Sequence, residues 1–425
     1  MTGIKHEAAE TVQGQLLSEV RQGGPSPEPI GYRHLFILAL AGFVTSFGAH
    51  IVATNLPSYA RTAHVGAFMI GLLIGVYDFA ELFAKPMAGF IADRRGMKLT
   101  LLAGLAIFSF GSLLFLIIDP GWLLLVRFVQ GLGAAALSTV SITLIAKYFT
   151  ARRGRAFGIY NAVKGAGYVI APALGGFLAQ AYGFAAIFVV SAAVGVVALL
   201  LCLLLPPERS TAGGLEEEDE LSLREFFLIF KDLRLLPVYA VILINMFLVG
   251  ILFGFLPVYL HGIGYTALES GTAVSAATLS YLLVQPFAGH LADKVASRMS
   301  VMTGLTLAAL AIIAVTFTSG ILLLIVIVVA GVGIGTVWTN SDALVSELAV
   351  PNQLGASMGA AQSFKELGDM IGPVAIGVLT QFCGVRIGFV ACGGLALLLL
   401  LILAASRGFR LPVGTGGKSA DPPCV

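Results

Sequence analysis

The chain has 425 residues, of which 58% are hydrophobic and only 11% charged, and its mean hydropathy is +0.94. A soluble domain carries about 25% charged residues, so the composition excludes a soluble protein and indicates an integral membrane one. A net charge of +2 without a concentrated basic face excludes nucleic acid as a partner, because binding a phosphate backbone requires clustered Lys and Arg.

Residues 1–34 form a polar tail with no apolar core followed by a small-residue cleavage site, so no removable signal peptide is expected. Twelve apolar stretches follow, at 35–57, 67–92, 98–118, 121–147, 155–180, 184–205, 236–260, 267–292, 299–318, 321–346, 355–381 and 385–405. Each approaches or exceeds the ~20 residues that an α-helix needs to cross a bilayer. The expected fold is therefore all-α and membrane-integral, with a six-helix bundle at 35–205 and another at 236–405. Between them, 206–235 reads as a solvated linker: it opens with Pro206-Pro207 and carries the acidic run Glu216-Glu217-Glu218-Asp219-Glu220. In the tail 406–425, Gly414-Thr415-Gly416-Gly417-Lys418-Ser419 imitates the end of a phosphate-binding loop. Pro412 stands where that loop requires its first glycine, so no nucleotide site is expected and uphill transport must draw on a gradient. Cys202, Cys383, Cys392 and Cys424 lack metal-like spacing. No metal, cofactor or catalytic residue is expected.

The two halves repeat one another. Leu56-Pro57-Ser58-Tyr59 recurs as Leu256-Pro257-Val258-Tyr259, and Lys85-Pro86-Met87-Ala88-Gly89 as Gln285-Pro286-Phe287-Ala288-Gly289, both at an offset of 200. Gly131 and Gly133 answer Gly331 and Gly333; then Gly158, Lys164, Gly167 and Pro172 answer Gly359, Lys365, Gly368 and Pro373 at 201. A duplicated set of long apolar segments is the signature of a carrier with its binding site between two similar bundles. Nineteen Lys and Arg fall on the side of the N-terminus, against Arg61 and Arg386 on the other. Under the positive-inside rule this places both termini in the cytoplasm. The absence of an Asn-x-Ser/Thr sequon favours a bacterial inner membrane.

Three motifs resemble those of the major facilitator superfamily, over about residues 30–405. The loop Gly89-Phe90-Ile91-Ala92-Asp93-Arg94-Arg95-Gly96-Met97-Lys98 is similar to its signature G-x-L-a-D-r-x-G-r-k, with Met97 departing and a weaker copy from Gly289 to Arg298. The resemblance implies that Gly89, Asp93, Arg94, Gly96 and Lys98 latch a cytoplasmic gate; the alternative is that they only fix topology. Arg127-Phe128-Val129-Gln130-Gly131 resembles its R-x-x-q-G. An arginine inside a membrane needs a partner, for which Asp78 and Glu81 are candidates. Gly158, Gly167, Ala171-Pro172 and Gly175-Gly176 resemble the antiporter motif G-x8-G-x3-G-P-x2-G-G, with Ala171 for one glycine. That resemblance points to efflux, and to the family's drug:proton antiporters in particular. Spaced small residues also serve close helix packing in general.

The remaining signal is charge at mid-membrane. Asp78, Glu81 and Lys85 share one helical face, and Lys164 and Lys365 occupy matching positions, the latter accompanied by Glu366 and Asp369. Glu81–Lys85 and Lys365–Asp369 can pair within their own helices. Alternatively Asp78, Glu81 or Asp369 loads and releases a proton, or Lys164 and Lys365 together hold an anionic substrate, as in organic-anion exchangers of the superfamily. His50, Asn161, Asn245, Asn340 and Gln362 lie at depths suited to lining a cavity. The expectation is a monomeric carrier whose partners are a small molecule, protons and the bilayer. A membrane enzyme is the alternative of another class, but the six histidines show no H-E-x-x-H spacing.

Overall fold

The computed structural model describes residues 32–62, 65–149, 152–206, 234–295, 297–350 and 354–405. The N-terminal tail, the acidic run of the linker and the glycine-rich C-terminal sequence lie outside these. The first half contains α1 (Tyr32–Thr62), α2 (Ala67–Arg95), α3 (Met97–Leu114), α4 (Leu123–Tyr148), α5 (Arg153–Tyr182) and α6 (Phe184–Cys202). The second contains α7 (Leu236–Gly254), α8 (Leu256–Gly262), α9 (Ala267–Val295), α10 (Ser297–Val315), α11 (Gly320–Leu348), α12 (Leu354–Cys383) and α13 (Val385–Ala405). Proline at a repeated position has different effects here. Pro57 sits inside an unbroken α1, whereas in the second half the helix breaks at Phe255 and Pro257 opens α8. Counting α7 and α8 as one, eleven spans are long and apolar enough to cross a bilayer. The twelfth, α12, has 30 residues, but Lys365, Glu366 and Asp369 interrupt its apolar run.

Large side chains such as Phe287, Phe382, Leu401 and Ile402 are exposed and form the surface that faces lipid. Sharp reversals fall at Gly96 (φ 96°), Gly183 (φ 81°) and Gly384 (φ 86°), between α2 and α3, α5 and α6, and α12 and α13. A Cβ is rarely accommodated at these angles.

Many of the repeated glycines mark helix crossings. A side chain at Gly131 would meet the Tyr77 carbonyl, and one at Gly331 the carbonyl of Ala277, its repeat counterpart. Gly133 abuts Gly104 and Phe108 of α3, as Gly333 abuts Gly304 and Ala308 of α10. Each bundle is thus held by backbone-to-backbone contact that only a missing side chain permits.

The halves meet along two crossings related by the same repeat. On α2, Gly71 lies against the Pro373 carbonyl of α12 and Gly75 against that of Met370. On α9, Gly271 lies against the Pro172 carbonyl of α5, while Gly176 of α5 lies against the Ala267 carbonyl. Side chains cap both crossings: Gln381 Oε1 accepts from the Phe68 amide at 3.2 Å, and Gln180 Oε1 from the Leu268 amide at 3.4 Å. These contacts seal the end that carries the short turns at 182–184, 262–267 and 383–385. Toward the opposite end, where the linker attaches, Gly158 and Gly359 have nothing within 4 Å.

Candidate functional site

Between the bundles lies a cavity of about 180 Å³. Long helices carry its polar wall, and helical geometry sorts those residues by depth. α2 runs from the sealed end inward, so Asp78, Glu81 and Lys85 descend toward the open end. α5 and α12 run the other way, so Tyr168 and Asp369 lie deep, with Lys164 and Lys365 one turn nearer the mouth and Gln362 beyond. Four residues of helix rise ~6 Å. All of these side chains line the cavity, together with His50, Arg127, Glu366, Phe253 and Trp338.

At its deep end His50 is fixed on three sides. Its Nδ1 lies 2.8 Å from the Ser46 carbonyl, and its ring meets Tyr168 at 4.5 Å and Phe253 at 4.3 Å, both edge to face. Phe253 comes from the second bundle, so this aromatic cluster spans the seam. Asp78 and Asp369, one from each bundle, line the same region, and neither has a hydrogen-bond or ion-pair partner among the described residues.

Other charges are committed. Lys85 bridges Glu81 of its own helix at 2.6 Å and Glu366 of the other bundle at 2.5 Å. The first contact is the intrahelical pairing that spacing suggests; the second is not visible from spacing. Lys365, 4% exposed, pairs with Asp342 of α11 at 2.7 Å and stands 4.7 Å over the Trp338 ring. It does not pair with Asp369 within α12. Lys164 has no side-chain partner among the described residues, and only its backbone carbonyl is engaged, by Ser46 Oγ at 2.6 Å.

Arg127 is 1% exposed, but no carboxylate pairs with it. Its Nε donates to the Leu73 carbonyl at 3.1 Å and its Nη1 to Gln130 Oε1 at 2.7 Å, and its guanidinium lies 4.5 Å over the Tyr77 ring. Gln130 donates in turn to Ser112, which meets Ser191 at 3.2 Å. The network ties α2, α3, α4 and α6 together, replacing the Asp78 or Glu81 pairing anticipated from sequence with neutral acceptors and an aromatic face.

Three of the polar candidates lie outside the cavity wall. Asn161 is exposed on α5. Asn245 and Asn340 are buried and donate to the carbonyls of Ile334 and Thr336 at 3.3 and 2.8 Å. A buried amide so occupied serves helix packing. Sequence reasoning missed Tyr168, Phe253, Trp338 and Asp342, since aromatic residues in an apolar span resemble core and Asp342 gave no pairing pattern with a lysine 23 positions on.

In the first signature loop, Gly96 takes the left-handed turn, Gly89 makes only an ordinary contact with Thr139 at 3.8 Å, and Asp93 is exposed without a partner among the described residues. Arg94 stacks on Phe90 at 4.1 Å. Lys98 donates to the last carbonyls of α6, those of Leu203 at 2.8 Å and of Leu205. A cation at a helix C-terminus is favoured by the helix dipole. The antiporter-like motif divides its contacts: Gly167 and Gly175 pack α5 on α1, Pro172 and Gly176 form the crossing to α9, and Gly158 faces open space.

The chain shares its sequence pattern and its architecture with known proteins. It is 26% identical over 359 residues to Multidrug resistance protein 2 of Bacillus subtilis, covering 81% of this chain and 88% of that one. It is also 26% identical to Multidrug resistance protein MdtG of Serratia proteamaculans, over 86% and 92%. Among solved structures, a bacterial homolog of the lysosomal transporter Spinster, inward-facing and unoccupied, superimposes with a TM-score of 0.77 at 19% identity, covering 91% of this chain and 98% of that one. The nucleoside transporter NupG does so with 0.76 at 14%, covering 89% and 99%. The family model for the Major Facilitator Superfamily matches residues 38–277 and 260–421. Its duplicated six-helix halves and the cavity between them are thus those of a transporter, not an enzyme, and the chain belongs to the Major Facilitator Superfamily.

Proposed function

We propose that this protein is a proton-coupled efflux carrier of small amphipathic molecules that works by alternating access. The observation that carries the reading is the Asp78–Asp369 pair, in which two carboxyls without partners, one from each bundle, flank the deep end of a cavity sealed on one side. An ionisable side chain inside the membrane marks a proton or ion pathway in carriers. Such a pair can exchange protons for substrate as the bundles rock. The 26% identity to two multidrug resistance proteins supports the drug-like substrate class.

The nineteen-to-two distribution of basic residues supports an open end that faces the cytoplasm, hence an inward-facing state with both termini inside, in a bacterial inner membrane. Exchange of organic anions on a lysine pair is less well supported, because Asp342 already neutralises Lys365.

The test is proton flux in inside-out vesicles holding a pH gradient, with a panel of lipophilic cations, zwitterions and organic anions added in turn. Efflux by proton exchange collapses the gradient on adding substrate, and Asp78→Asn and Asp369→Asn each abolish the response. A gradient that no compound disturbs, in vesicles shown to contain the folded protein, would overturn the reading.

A further inference from the structure

We propose that the cavity is built for an aromatic zwitterion, seated with its cationic group between Asp78 and Asp369 and its anionic group on Lys164. The inference rests on the efflux reading for its proton arithmetic and goes beyond it in naming the substrate's charges and the direction in which it lies.

Charge bookkeeping among the lining residues is the first support. Lys85 is held by Glu81 and Glu366, Lys365 by Asp342 and the Trp338 ring, and Arg127 by the Leu73 carbonyl, Gln130 and Tyr77. Three charged side chains of the wall remain without a partner among the described residues: Asp78, Asp369 and Lys164. If one of the two carboxyls carries the coupled proton, the groups without a partner are one negative and one positive, while the extra carboxylate on Lys85 and the guanidinium of Arg127, held by neutral acceptors, offset one another in net charge. A ligand bearing only a cation would leave Lys164 uncompensated, and an unpaired charge at this depth costs at least about 2.5 kcal/mol. A ligand bearing only an anion would leave the carboxylate in the same position. A zwitterion satisfies both.

Depth is the second support. Lys164 and Asp369 lie on helices that run in the same direction, and Lys164 stands one turn nearer the mouth than Tyr168, the counterpart of Asp369 at the repeat offset of 201. The separation along the membrane normal is ~6 Å, which places the cationic group deep and the anionic group toward the cytoplasmic opening. The third support is the cluster of His50, Tyr168 and Phe253 at the deep end. Aromatic faces there stabilise a desolvated cation and pack against an aromatic ring.

The test is equilibrium binding to the purified, full-length protein in nanodiscs, read by fluorescence anisotropy, with a matched pair of rhodamines: one with a free benzoate, a zwitterion, and its methyl ester, a cation. A charge-assisted hydrogen bond is worth about tenfold in affinity or more, so the wild type should prefer the free acid by about that factor. Lys164→Gln should bring the acid-to-ester ratio close to one, Lys164→Arg should preserve the preference, and Asp369→Asn should weaken both dyes. Equal or tighter binding of the ester by the wild type overturns the proposal without recourse to any variant, as does failure of the acid to bind. A preference that survives Lys164→Gln moves the anion elsewhere and overturns it too. Because binding is read without a gradient, loss of proton coupling in vesicles would sink the efflux reading while leaving this measurement standing.

Discussion

At the residue scale, the cavity depends on which charges are already neutralised. Lys365 and Asp342 illustrate this. Lys365→Met leaves the Asp342 carboxylate unpaired; because that side chain is 28% exposed, the loss should fall below the 3–5 kcal/mol of a fully buried pair, at about 1–2 kcal/mol. Pairing the change with Asp342→Leu should recover most of it, and a double-mutant cycle on thermal unfolding checks the coupling. Arg127→Lys should lower the melting temperature despite retaining the charge, because an ammonium cannot serve Leu73 and Gln130 with the planar fork of a guanidinium or stack as well on Tyr77. Sequence spacing revealed the ionisable groups and the Glu81–Lys85 pair, since i to i+4 neighbours are fixed by the helix itself. It could not reveal Lys85–Glu366 or Lys365–Asp342, which depend on how separate helices are laid side by side.

At the element scale, glycines decide where helices cross and where the chain turns. Gly96→Ala places a Cβ at φ 96° and should cost about 1–3 kcal/mol, measurable as a loss of thermal stability. Gly71→Leu and Gly271→Leu each drive a side chain into a proline carbonyl across the seam and should prise the sealed end apart. The Phe68 and Leu268 amides then lose Gln381 and Gln180 as acceptors, and faster hydrogen exchange at those two amides is the measurement that checks it. The repeat at offsets of 200 and 201 was plain in the sequence, and so were twelve helices, because a period of long apolar runs is unmistakable. What the repeat was preserving was not legible: Gly131 against Tyr77 and Gly331 against Ala277 become a matched pair only once the crossings are in place.

At the scale of the whole molecule, the proposed alternating-access cycle requires the two crossings of the sealed end to separate. Cysteines replacing Phe68 and Gln381, or Leu268 and Gln180, should form a disulfide across the seam that halts transport, spares ligand binding from the open end and is reversed by reductant. Transport continuing at the full rate in a completely cross-linked sample would rule out rocking about this seam. The prolines of the crossings add a consequence that links the lid to the floor. A proline has no amide hydrogen, so the carbonyl four residues earlier loses its helical partner. Pro172 and Pro373 lie inside α5 and α12, and the carbonyls they release belong to Tyr168 and Asp369, both at the cavity wall. Each half therefore couples a tight outer closure to a spare main-chain acceptor one turn beneath it. Neither proline can be lost without altering both the seal and the wall of the cavity.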